Sequence, residues 1–142
     1  STAGLERIGE RSGLYMERNG QPVPDDFAHE QSLVFDTSDG LVIFNSCSHG
    51  GAANIIGEVR EYLGRKPVRA YIGGLHMKGK NSAGEEICAF TDSELNDLCE
   101  TIRRENIRIY TGHCTGCAGL EKLRERLGDR VTALTTGMTF EL

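Results

Sequence analysis

The chain has 142 residues, room for one domain with a proper core and too few for two. Sixteen basic against twenty-one acidic residues give a net charge of −5, with no Lys/Arg run longer than Arg65-Lys66 or Arg103-Arg104, which argues against a nucleic-acid or anionic-membrane surface. No apolar stretch approaches the roughly 20 residues that cross a bilayer, and the five Cys, at 47, 88, 99, 114 and 117, do not form a secreted disulfide framework. The expectation is a soluble, cytoplasmic chain with free thiols and neither nucleic acid nor membrane among its partners.

Residues 1–24 read as a linker with a short edge strand near Gly13-Leu14-Tyr15-Met16-Glu17, ended by Asn19-Gly20 and the Pro22 to Pro24 segment. Asp25 to Glu30 is an acidic loop. Ser32-Leu33-Val34-Phe35 and Leu41-Val42-Ile43-Phe44 flank Thr37-Ser38-Asp39-Gly40, so they predict a hairpin, apolar enough to be covered on both faces. Ala52, Ile55, Ile56, Val59 and Leu63 recur at helical spacing and stop at Gly64. Val68 to Ile72 is the next strand, and residues 78–90 lack periodicity and read as an exposed, mobile loop beside His76, placed to serve as a lid.

Thr91-Asp92-Ser93-Glu94 has capping-box spacing, and Leu95, Leu98, Cys99 and Ile102 then mark one helix face. Ile107 to Tyr110 is a strand, Leu120, Leu123 and Leu127 mark a last helix ending at Gly128, and Val131 to Leu134 and Met138 to Leu142 read as closing strands. The order ββαβαβαββ predicts an α/β layer structure.

Strand ends carry the polar chemistry. Asn45-Ser46-Cys47-Ser48-His49-Gly50-Gly51, Gly73-Gly74-Leu75-His76-Met77 and Thr111-Gly112-His113-Cys114-Thr115-Gly116 each follow a strand, and the first and last open directly into a helix. Such a rim is where α/β proteins bind ligands. A neutral imidazole is a ready ligand for Zn, Fe or Mn, and a short rim loop fixes its direction. His49 and His113, which share one local grammar, are the metal candidates. The plainer alternative for either is a surface or hydrogen-bonded core histidine. His76 is placed to orient a substrate phosphate or carboxylate, and His29 to face solvent. Cys114-Thr115-Gly116-Cys117 is a C-x-x-C at a helix N-terminus, where the dipole favours a thiolate and thiol–disulfide exchange is a further reading. Against it stand two thiols that merely line a site or core.

Taken together, Asp25-Asp26-Phe27 with Glu30 to Val34, Cys47 to Gly51 with Asn54 to Ile56, Gly73 to Met77, and Gly112 to Gly116 resemble one branch of the metallo-β-lactamase superfamily, as does the closing Thr136 to Phe140. That branch is described as similar to 7,8-dihydropterin-6-methyl-4-(β-D-ribofuranosyl)aminobenzene 5′-phosphate synthase. The resemblance implies that residues 25–142 are the C-terminal half of an αββα sandwich whose first half carries His-x-His-x-Asp-His. No such motif occurs in this sequence.

The resemblance makes His49 and His113 second-half ligands of a divalent metal, zinc first and iron or manganese next. It also makes Cys47 a soft ligand or a bystander, His76 and Thr115 substrate contacts, and Glu30 and Asn54 braces of the rim. It implies a metal-dependent hydrolase of a phosphoester or related small molecule, with no catalytic residue complete in the isolated chain. A half-sandwich would expose Leu33, Phe35, Val42 and Phe44, so the expected partner is the N-terminal half or a second copy of the chain. The competing function is a non-catalytic self-associating or partner-binding module, and a redox protein using Cys114 and Cys117 is the third.

Overall fold

The computed structural model describes residues 13–142, so the polar segment 1–12, read above as linker, lies outside the described residues. The chain opens with a hairpin of β1 (Tyr15–Arg18) and β2 (Gln21–Pro24). The expected edge strand is therefore present, but the Pro segment continues the pairing instead of ending it. Asp25 N–H donates to the Leu14 carbonyl, and strand alternation then turns positions 22 and 24 away from β1, so the N–H groups that proline lacks are not needed.

The main sheet has the order β3-β4-β5-β8-β9. β3 (Ser32–Thr37) and β4 (Gly40–Asn45) pair antiparallel, whereas β4, β5 (Val68–Gly73), β8 (Arg108–Thr111) and β9 (Val131–Ala133) run parallel. The crossovers are α1 (Ala52–Tyr62), α2 (Asp92–Arg104) and α3 (Gly116–Leu127). All three pack on one face. Ala52, Ile55 and Ile56 of α1, Leu95, Leu98 and Ile102 of α2 and Leu123 and Leu127 of α3 meet Leu41, Ile43, Val68, Tyr71 and Ile109 in the larger core cluster. The helix residues among them are those that helical periodicity singles out. The Thr91 capping box is formed, with Glu94 N–H donating to the Thr91 hydroxyl and Thr91 N–H to the Glu94 carboxylate.

The opposite face is thinner. Val42, Ala70, Ile72 and Tyr110 are buried there under Phe44, Leu134 and Phe140, with the Phe140 ring stacked on Tyr110 at 4.2 Å. The register pairs Leu33 with Phe44 and Phe35 with Val42, so all four share this face. Leu33 is 59% exposed and Phe35 52%, so of the four residues expected at an open face these two are the exposed ones, while Val42 is buried.

Two expectations are corrected. Residues 78–90 are not a structureless loop: β6 (Lys78–Lys80) and β7 (Glu86–Cys88) form a hairpin that packs on α3. Residues 138–142 form no strand, because the Phe140 ring is engaged with Tyr110 and the sheet ends at β9. No described helix is long and apolar enough to cross a membrane.

Candidate metal and substrate site

The carboxyl ends of the adjacent parallel strands β4, β5 and β8 bring the three motif loops to one rim. Asn45, the last residue of β4, organises the first loop: its Oδ1 accepts from Ser48 N–H (2.7 Å) and Cys47 N–H (3.2 Å), and its Nδ2 donates to Ser32 Oγ at 2.9 Å. Glu30 clamps the next turn, accepting from His49 N–H at 2.6 Å and Gly50 N–H at 2.7 Å, while Asn54 donates to the Gly50 carbonyl at 2.9 Å. Glu30 and Asn54 brace the rim as the sequence implied.

Beneath the loop, buried Ser48 Oγ donates to the Gly74 carbonyl and pairs with Tyr71 Oη at 2.6 Å; burial pushes the Tyr71 hydroxyl well above its usual range. The second loop leaves β5 through Gly73, whose φ of 147° lies in the region disfavoured for side chains and where a Cβ would sit 1.6 Å from the Asn45 carbonyl oxygen.

The structure divides the histidines into two groups. The His49 ring stacks on Phe27 at 4.2 Å and 6°, and its other neighbour is the His76 ring at 4.2 Å and 47°. His49 Nδ1 is buried with no hydrogen-bond partner among the described residues. Burial holds the imidazole below the usual His range against the opposing pull of Glu30 and Asp25, which keeps it neutral at pH 7 with a lone pair to give. His113 is exposed and belongs to a separate cluster: its Nδ1 is 3.6 Å from Cys47 Sγ, and Cys47, His113 and Cys114 place their donor atoms within 4.8 Å of one another. His49 is not part of that cluster. The first group offers imidazole nitrogens and the second imidazole and thiol donors, so they fit a transition-metal or zinc ion and not a hard, oxygen-seeking one.

Thr115 is fully buried. Its Oγ1 accepts from Leu75 N–H at 3.0 Å and shares a hydrogen bond of 2.5 Å with Thr111 Oγ1, so it sets the Leu75–His76 backbone from below instead of facing a substrate directly. His29 is exposed, as expected.

Sequence reasoning makes Cys114 only a redox or lining thiol, yet it is the third donor of the cluster; its Sγ accepts from His76 N–H at 3.2 Å and donates to the Cys47 carbonyl. Burial pushes this thiol up to about 11, the reverse of the depressed value that thiol–disulfide exchange requires. Cys117 is exposed at the start of α3, outside the cluster. A groove of about 630 Å³ on the open sheet face runs past Phe44, Asn45, Ser46, Gly73, Gly112 and His113.

No family model matches the chain. It is 35% identical over 104 residues to 7,8-dihydropterin-6-methyl-4-(β-D-ribofuranosyl)-aminobenzene-5′-phosphate synthase of Methanocaldococcus jannaschii, a match covering 73% of this chain and 32% of that protein. A second protein of that organism, uncharacterized protein MJ0448, is 27% identical over 110 residues, 76% of this chain and 36% of its own length. Among solved structures, Tm1679, a metal-dependent hydrolase of the β-lactamase superfamily, superposes with a TM-score of 0.75 at 26% identity, covering 90% of this chain and 46% of that one. The chain thus spans about a third of the curated relatives and under half of the solved hydrolase.

One sheet with helices on a single face, and His and Cys donors along its carboxyl rim, are one layer of a metallo-β-lactamase sandwich. The chain has the fold of the metallo-β-lactamase superfamily and is similar to it in sequence. Within it, it resembles the branch of the Methanocaldococcus synthase.

Proposed function

We propose that this chain supplies the second half of a metal-dependent hydrolase site acting on a phosphoester or a related small molecule. The observation that carries the reading is the convergence of Cys47, His49, His76, His113 and Cys114 at the ends of three adjacent parallel strands, in a chain whose solved relative is a metal-dependent hydrolase. His49 and His113 serve as metal ligands, zinc first and iron or manganese next, with Cys47 a further soft donor. His76, whose ring lies against His49, orients the substrate. A divalent ion held there lowers the pKa of a bound water and polarises a phosphoryl or carbonyl group.

The His-x-His-x-Asp-His motif, to which the resemblance assigns most ligands of the hydrolase metal site, is missing from this sequence. Residues 1–142 are therefore inactive by themselves. The remaining ligands come from a segment carrying that motif, in the same polypeptide or a separate one, docked on the open face beside Leu33 and Phe35. Five free cysteines suit a reducing, cytoplasmic compartment.

The test is complementation. The chain is mixed with the His-x-His-x-Asp-His half of a superfamily hydrolase, supplied with zinc or manganese, and assayed for phosphodiesterase and lactonase activity. Activity is expected only in the mixture, and it should disappear with His49→Ala or His113→Ala. The exposed apolar face also supports a second reading, a non-catalytic assembly module; halves that co-elute without hydrolysing anything would favour it.

A further inference from the structure

We infer that Cys47, His113 and Cys114 form a two-sulfur, one-imidazole site for a thiophilic cation such as Zn²⁺, present in this chain without any complementing half. The donor spacing is the first ground. A tetrahedral zinc with Zn–S near 2.3 Å and Zn–N about 2.0–2.1 Å sets its sulfur and nitrogen ligands about 3.6 Å apart and two sulfurs about 3.8 Å apart. Cys47 Sγ and His113 Nδ1 are already 3.6 Å apart, and all three donor atoms fall within 4.8 Å of one another. The separation suits a shared ion.

The surroundings are the second ground. His76 N–H points at Cys114 Sγ from 3.2 Å, the kind of outer contact that steadies a metal-bound sulfur. Space for that sulfur depends on Gly74, where a Cβ would lie 2.5 Å from Cys114 Sγ and 2.8 Å from the Ser46 carbonyl oxygen. Asn45 holds the Cys47 backbone through its N–H. No carboxylate belongs to the cluster, so Mg²⁺ and Ca²⁺ are excluded by donor chemistry. Cys₂His is one of the three-ligand sets that leave zinc a fourth position, and exposed His113 borders the open groove. The site shares His113 and Cys47 with the hydrolase reading but does not depend on it, because it uses Cys114 and does not use His49.

The experiment is a cadmium titration of the reduced, full chain, followed by sulfur-to-metal charge-transfer absorption. A single tightly held ion with a two-thiolate signal is expected. Cys47→Ser or Cys114→Ser should each lower the signal and weaken binding at least about tenfold, the smallest loss seen even for outer-shell partners, whereas Cys117→Ser, outside the cluster, should leave both unchanged. In the unsubstituted chain, bound cadmium should protect Cys47 and Cys114, but not Cys117, from alkylation mapped by mass spectrometry; this arm needs no variant to fold. Cadmium bound without charge-transfer absorption, a signal that survives Cys114→Ser, or alkylation of Cys114 unaffected by the ion would each overturn the inference. Hydrolytic complementation can fail with every one of the expected results intact, so the two readings are separable.

Discussion

Ser48 shows how a single residue ties the rim to the core. It adopts a positive φ of 59°, and its fully buried hydroxyl bridges Tyr71 Oη and the Gly74 carbonyl, so the loop bearing Cys47 and His49 is anchored to β5 through one oxygen. Ser48→Ala should leave the Tyr71 hydroxyl, which has no exposure of its own, without a partner, at a cost of about 1–3 kcal/mol. Adding Tyr71→Phe should recover much of that loss, since the orphaned hydroxyl is then gone. A double-mutant cycle by chemical denaturation reads both effects, and a silent Ser48→Ala would show that the bridge is unimportant. Phe27, His76 and His113 share this backbone state, with φ of 49°, 50° and 54°. Non-glycine residues held there store strain, and strain of this kind collects at functional sites. All four lie at the rim, and nothing in their residue types announced it.

At the scale of elements, the β6–β7 hairpin is fastened to the start of α3 by Glu86. Its carboxylate accepts from Cys117 N–H (2.5 Å) and Ala118 N–H (3.2 Å) and pairs with Lys78 at 3.1 Å. The Lys78 contact first, and then the helix N–H groups, hold the carboxyl below its usual range. A depressed folded-state pKa adds stability above the unfolded value, about 4.3, and loses it as pH falls through the folded one. Glu86→Gln should therefore lower the melting temperature near pH 7, with the gap to the parent chain closing as the pH drops below about 4. Thermal melts across that range check it; a gap that widens in acid would contradict the tie. This hairpin was invisible in the sequence because Lys-Gly-Lys and Glu-Ile-Cys are too short to alternate, and their pairing is stabilised by α3. The helices were legible because Leu95, Leu98, Cys99 and Ile102, like Ala52, Ile55 and Ile56, repeat at the helical period and that period alone selects the buried face. The donor cluster was half legible. His113 stood out at its strand end, but its meeting with Cys47, 66 residues away, is a product of the parallel crossovers, and likeness of local grammar paired it with His49 instead.

On the scale of the whole molecule, the two faces of the sheet are unequally covered among the described residues. Three helices cover one face, whereas on the other, among the described residues, Phe44, Leu134 and Phe140 pack against Val42, Ala70, Ile72 and Tyr110, with Leu33 and Phe35 left exposed and a groove of about 630 Å³ beside Leu33. In a chain spanning 46% of the solved hydrolase, the proposed hydrolase reading assigns this strip to the packing of a second sandwich layer. Burying a Leu or Phe side chain is worth about 1.5–3 kcal/mol. Leu33→Asp or Phe35→Asp should thus weaken binding of the complementary half by about tenfold or more, while leaving the helix-covered core and the melting temperature of the chain nearly untouched. Titration calorimetry with the complementary half measures the first effect, and light scattering of the chain alone tests the competing occupant. If the substitutions abolish self-association but do not alter capture of the other half, this face serves a second copy. If the chain stays monomeric at high concentration and binds the half through some other surface, the two layers do not pack as a sandwich across this face.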